Sequence, residues 1–99
     1  MAKYFLTNKA VEDLSKIWDY SYEVWSENQA DNYYELIIKT CNEIAETPAL
    51  GKHYPEISSE IFGFNSGKHV IFFRKIPLKG IEVLRILHGR MDLKNRLDD

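Results

Sequence analysis

Three polar residues near the end of the chain have the types and spacing of an active site. In "GIEVLRILHGRMDL", Gly80 to Leu93, an aliphatic run gives way to His88, Arg90 and Asp92 at alternate positions. In a strand, period-two spacing puts such residues on one face. There they offer a general base, a cation for phosphate and a carboxylate. Gly89 interrupts that regularity, and each residue also has a plainer role, which the local sequence favours. His88 fits a half-buried strand end and Arg90 a surface salt bridge. Asp92 fits the N-cap of a last helical turn in "DLKNRL", with Leu93 and Leu97 at i,i+4.

The other candidates are weaker. Arg74 and Arg85 lie inside apolar strand-like runs, where an arginine either reaches an edge or pairs with a carboxylate from a helix or a partner. His53, His69 and His88 lack any H-x-x-x-H or H-E-x-x-H spacing, so no metal site is expected. Cys41 is the only cysteine. It falls on an apolar helical stripe, as a buried small hydrophobe rather than a nucleophile. Trp18, Trp25, Tyr20, Tyr22, Tyr33 and Tyr34 could stack on bases, but at helical spacing they read as core.

The elements that must position these residues follow from periodicity. "KYFL" (Lys3–Leu6) reads as an opening strand. Thr7 or Asn8 then caps a helix with the stripe Val11, Leu14, Trp18, Ser21, Tyr22 and Trp25. Glu12, Asp13, Lys16, Asp19 and Glu23 are expected mostly on its other side. Ser26 and Gln29 have capping-box spacing and open a second helix. Its stripe is Ala30, Tyr33/Tyr34, Ile37, Cys41, Ile44 and Ala45, and it ends near Thr47-Pro48. Residues 48–57 read as loop with a short extended piece. Three strand-like runs follow, Ile61–Asn65, Lys68–Ile76 and Ile81–Leu87, joined by the turn sequences "NSG" and "PLKG". The expected fold is α+β, in the order β-α-α-β-β-β: one domain over residues 1–99, with an αα-hairpin on one face of a mainly antiparallel sheet.

The last two strands are apolar on both faces. Strict alternation groups Val70, Phe72, Arg74 and Ile76 against Ile71 and Phe73. It likewise groups Ile81, Val83 and Leu87 against Leu84 and Ile86. Two helices cover only one face, so Ile71, Phe73, Leu84 and Ile86 are expected to be exposed to a partner. Closure of that face by the C-terminal segment is the alternative.

Composition bounds the rest. The 99 residues include 13% aromatics and 28% charged residues, with a formal net charge of −2. That is a globular composition of single-domain size. Residues 1–51 carry four Lys and nine Asp/Glu; residues 52–99 carry nine Lys/Arg and six Asp/Glu. The acidic first half and mildly basic second half fall short of the bias expected for life on phosphates. No apolar run approaches the roughly 20 residues of a membrane span, and the first residues carry no signal-like apolar core. A cytoplasmic location without cofactors is the expectation.

Several stretches together resemble the ParE toxins of the RelE/ParE superfamily, found in type II toxin–antitoxin and plasmid-stabilisation modules. They are "LTNKAVEDLSKIWDYSYEVWSENQADNYYELI", "ETPALGKHYPEI", "GKHVIFFRKI" and "VLRILHGRMDL". The resemblance covers nearly the whole chain and implies the βααβββ fold. It further implies a toxin that inhibits DNA gyrase and traps cleaved DNA. A ParD-like antitoxin would neutralise it in a hetero-oligomer, wrapping its C-terminal segment over the apolar sheet surface at Ile71, Phe73, Leu84 and Ile86. His88, Arg90 and Met91 would then be candidates for contacting the target. No catalytic residue and no direct nucleic-acid binding are expected.

The sister branch, the RelE-like toxins, are ribosome-dependent mRNA endoribonucleases. On that alternative His88, Arg90, Arg74 and Arg85 would be catalytic, with His88 as base and the arginines at the phosphate. The chain departs from that branch by ending "MDLKNRLDD" without a tyrosine after Arg90, and by lacking the positive charge that favours RNA.

Overall fold

The computed structural model describes residues 3–89. Strand β1 (Lys3–Leu6) leads into helix α1 (Asn8–Val24), then helix α2 (Glu27–Glu46), a 3₁₀ turn at Pro48–Leu50, and strands β2 (Lys52–His53), β3 (Phe62–Ser66), β4 (His69–Ile76) and β5 (Gly80–His88). The sheet order is β1-β5-β4-β3-β2. The meander β3-β4-β5 is antiparallel, and β1 returns parallel to β5. This is the α+β architecture expected, with one more strand, because the extended piece at Lys52–His53 pairs with Phe62 and Gly63.

The helix ends form as their sequences dictate. Thr7 Oγ1 accepts from Ala10 N–H and Ser26 Oγ from Gln29 N–H, each satisfying a first-turn donor. Helix α2 stops at Glu46, before Thr47-Pro48. Of its expected stripe, Ala30, Ile37, Cys41, Ile44 and Ala45 are buried, joined by Thr40, whereas Tyr33 is half-buried and Tyr34 is exposed. In α1 the stripe is rotated from expectation. Ala10, Asp13, Leu14, Ile17 and Ser21 are buried, whereas Val11, Tyr22 and Trp25 are about half exposed. Trp18 stacks on Tyr22 along the flank, with ring centroids 5.3 Å apart.

The expected exposed face is also corrected. Ile71, Phe73 and Ile86 are buried in the main core with Leu14, Ile17, Ile37 and Ile44, directly beneath the helices. The opposite face carries Val70, Phe72 and Leu87, and it is covered by Tyr54, Ile57 and Ile61 from the loop between β2 and β3. The parity of β5 changes part-way because of a β-bulge. Phe73 faces Val83 and Phe72 faces Arg85, so Leu84 has no opposite number. A bulge of this kind reverses inside and outside beyond it. Ile81, Val83 and Ile86 therefore share one core, Leu87 belongs to the other face, and Leu84 is half-buried at the bulge.

Candidate functional site

His88 ends β5 directly opposite His69, the first residue of β4. The two imidazoles meet edge to face, with ring centroids 5.4 Å apart. Helix α2 supports this corner. Tyr33 Oη lies 2.6 Å from His69 Nδ1, accepts from the Lys68 N–H at 2.9 Å, and is 3.3 Å from the Ser66 carbonyl. Two turns on, Thr40 and Ser66 share a buried hydroxyl–hydroxyl bond of 3.0 Å. The Tyr33 ring lies against Gly67, where φ is +60° and an added Cβ would come within 2.6 Å of the ring. The β3–β4 turn is thus clamped to α2 by one aromatic and one hydroxyl residue. Burial, and secondarily the neighbouring His88, lower the His69 pKa to about 4, leaving the ring neutral at neutral pH. Burial also raises the Tyr33 pKa above its ordinary value.

A second polar centre lies below this corner. β1 ends at Leu6, so the outer edge of β5 is open from Leu84 onward. Helix α1 closes it. Thr7 donates to the Leu84 carbonyl at 2.8 Å, and the Asp13 carboxylate accepts from Ile86 N–H at 3.0 Å. The same carboxylate holds Arg85 through Nε at 2.8 Å and Nη2 at 3.0 Å. Arg85 thus pairs with a helix carboxylate, one of the two options open to it, and Asp13 is buried rather than on the solvent side. Arg74 pairs across strands with Glu82 at 2.6 Å, at the other end of the hairpin. Six residues of strand separate Glu82 from His88, about 20 Å. Arg74 and His88 therefore do not share a site. Arg90, Met91 and Asp92, and the proposed last turn with Leu93 and Leu97, lie outside the described residues.

Both polar centres open into a groove of about 570 Å³ between α1 and the β4–β5 corner. Ile17 and Leu87 contribute apolar wall, Tyr20 and Trp25 exposed aromatic surface, and Lys16 and Lys68 positive charge. The Lys68 ammonium stands 6.0 Å from the Trp25 ring centroid. This groove, rather than the sheet face at Ile71 and Phe73, is the accessible mixed apolar and basic surface next to His88. The sequence reading missed Asp13, Tyr33 and His69 as parts of one site. The signal for them was weak, because each sits on a different element. Cys41 is fully buried, and burial pushes its thiol up to about 12, which makes it unreactive. No helix among the described residues is long and apolar enough to cross a membrane.

Comparison with known proteins agrees with this architecture. Residues 4–93 match the family model of the ParE toxin of type II toxin–antitoxin systems. A protein named Toxin ParE1 from Mycobacterium tuberculosis is 31% identical over 96 residues, spanning 97% of this chain and 98% of its own. Toxin ParE1 of Caulobacter vibrioides is 33% identical over 97 residues, 98% of this chain and 99% of its own. A solved structure described as the chromosomal ParDE system from P. aeruginosa superposes with a TM-score of 0.74 at 21% identity, covering 89% of this chain and 96% of that one.

Proposed function

The chain belongs to the ParE toxin family of type II toxin–antitoxin systems, and we propose that it acts by binding and inhibiting DNA gyrase in the cytoplasm. On this reading a ParD-like antitoxin neutralises it by docking a segment in the groove beside α1, giving a hetero-oligomer. The observation that carries a protein-binding over a phosphate-cleaving role is the commitment of the strand arginines. Arg85 is held by Asp13 inside the fold, and Arg74 is held by Glu82 about 20 Å from His88. His88 borders the groove and, with Arg90 and Met91 just beyond it in sequence, stays a candidate for the target contact. The near-neutral charge supports the same reading. Induction of the chain in its host, alone and with the neighbouring antitoxin gene, tests it. Growth arrest with an SOS response, relieved by the antitoxin, is expected. Arrest without DNA damage signalling would remove gyrase as the target.

The second reading, a ribosome-dependent endoribonuclease, draws on one observation: a neutral His69 hydrogen-bonded to Tyr33 beside His88. It requires new mRNA 5′ ends in translating extracts, lost in Arg90→Ala and His88→Ala.

A further inference from the structure

We propose that His69 and His88 form a two-imidazole site for a divalent transition-metal ion of the zinc, nickel or copper type. The site follows from strand register. Below the bulge the hairpin pairs residues whose numbers add to 156, as in Phe73 with Val83. Above it they add to 157, as in Phe72 with Arg85. Without the extra residue at the bulge His69 would face Leu87; with it, His69 faces His88. The next pair outward, Lys68 and Gly89, is joined by the Gly89 N–H to Lys68 carbonyl bond of 3.0 Å. His69 and His88 therefore occupy a non-hydrogen-bonded position, where cross-strand side chains stand closest.

The spacing fits a shared ion. An imidazole nitrogen lies about 1.1 Å from its ring centroid, and metal–nitrogen bonds are about 2.0–2.1 Å. Two rings on one tetrahedral ion thus have centroids about 5.2 Å apart; here they are 5.4 Å apart with their planes at 80°, so binding the ion requires the rings to turn from this edge-to-face contact until one nitrogen of each faces it. Tyr33 supplies the outer hydrogen bond that ligating histidines use. Its oxygen has one hydrogen and two lone pairs. Donation to the Ser66 carbonyl and acceptance from Lys68 N–H leave a lone pair for His69 Nδ1–H. In that tautomer His69 Nε2 carries the lone pair a metal requires, and the other ring nitrogen is anchored. Both rings line the groove, which gives the ion an entry path and leaves its other positions to water or to a donor from a bound partner. No group of three His, Cys, Asp or Glu suited to a metal occurs among the described residues.

Calorimetric titration of the untagged chain with ZnCl₂, NiCl₂ and CuCl₂ at pH 7.5 tests the site. One saturable ion per chain is expected, with copper binding more tightly than nickel or zinc. His88→Gln should abolish it, and Tyr33→Phe should weaken it about 10-fold or more. His53→Gln, whose ring contacts Ser59 and Phe62 at β2, should leave it unchanged. Histidine ring proton shifts on adding Zn²⁺ to the unaltered chain provide a readout that needs no variant, and they should move at His69 and His88. No saturable uptake up to millimolar metal, undiminished uptake in folded His88→Gln, or shifts confined to His53 would overturn the proposal.

Discussion

Asp13→Ala removes the acceptor at the point where α1 closes the open edge of β5. The Asp13 and Arg85 side chains are 10% and 16% exposed, so water replaces little of what is lost. Three donors lose this carboxylate together: Arg85 Nε, Arg85 Nη2 and Ile86 N–H. A buried amide left without its acceptor costs about 1–3 kcal/mol. Deleting one member of a buried ion pair costs about 3–5 kcal/mol. The two figures count the same carboxylate and overlap, so the expected loss is about 3–4 kcal/mol, equivalent to roughly 15–25 °C in Tm for a domain of this size. Asp13→Asn retains an acceptor for Ile86 N–H but loses the charge, and should cost about 1–2 kcal/mol. Combining Asp13→Ala with Arg85→Ala should be less than additive by about 1–3 kcal/mol. Urea unfolding followed by far-UV circular dichroism measures all three, provided the denaturant slope is unchanged. If Asp13→Ala lies within about 0.5 kcal/mol of the parent chain, or matches Asp13→Asn, Asp13 does not fasten α1 to β5 and the reasoning fails.

Two further outcomes follow from the Tyr33–His69 corner. The unfolded chain takes up a proton on His69 near the ordinary 6.5, but the folded chain does so only near about 4. Between these values the unfolded state holds more protons, so stability falls as pH drops from about 6.5 towards 4; urea midpoints for His69→Gln should be flatter over that window, and parallel curves would contradict the assignment. Gly67→Ala places a Cβ at positive φ and against the Tyr33 ring, and should cost about 1–3 kcal/mol; unchanged stability would mean that Tyr33 does not hold the β3–β4 turn.

The legible parts of the fold were those set by local chemistry. Thr7 and Ser26 cap where a short hydroxyl side chain precedes an amphipathic run, and Thr47-Pro48 ends a helix by steric exclusion. The strand runs and turns could be read because "NSG" and "PLKG" interrupt β-branched and aromatic stretches. Which sheet face was covered could not be read this way. Alternation in β4 grouped Ile71 with Phe73 correctly, but nothing local says that the helices, rather than the 54–61 loop, lie on that side. In β5 the bulge at Leu84 broke the alternation, and a bulge is a property of the pairing rather than of one strand. Asp13 was misplaced for a similar reason. A charged residue on a helix is assigned to solvent by default, and only the open edge of β5 and Arg85, 72 positions away, give it an interior role. The polar trio at the chain end drew attention because its members are adjacent in sequence. The groups that the fold gathers around His88, namely Tyr33 and His69, come from separate elements.

The proposed action of this toxin on DNA gyrase is through binding rather than cleavage of nucleic acid. The direct measurement is a supercoiling assay with the host's own DNA gyrase and the purified chain freed of antitoxin. Loss of supercoiling with accumulation of cleaved DNA, reversed by adding the antitoxin, is the expected result. Full supercoiling at a large molar excess of a preparation that still binds its antitoxin would contradict it.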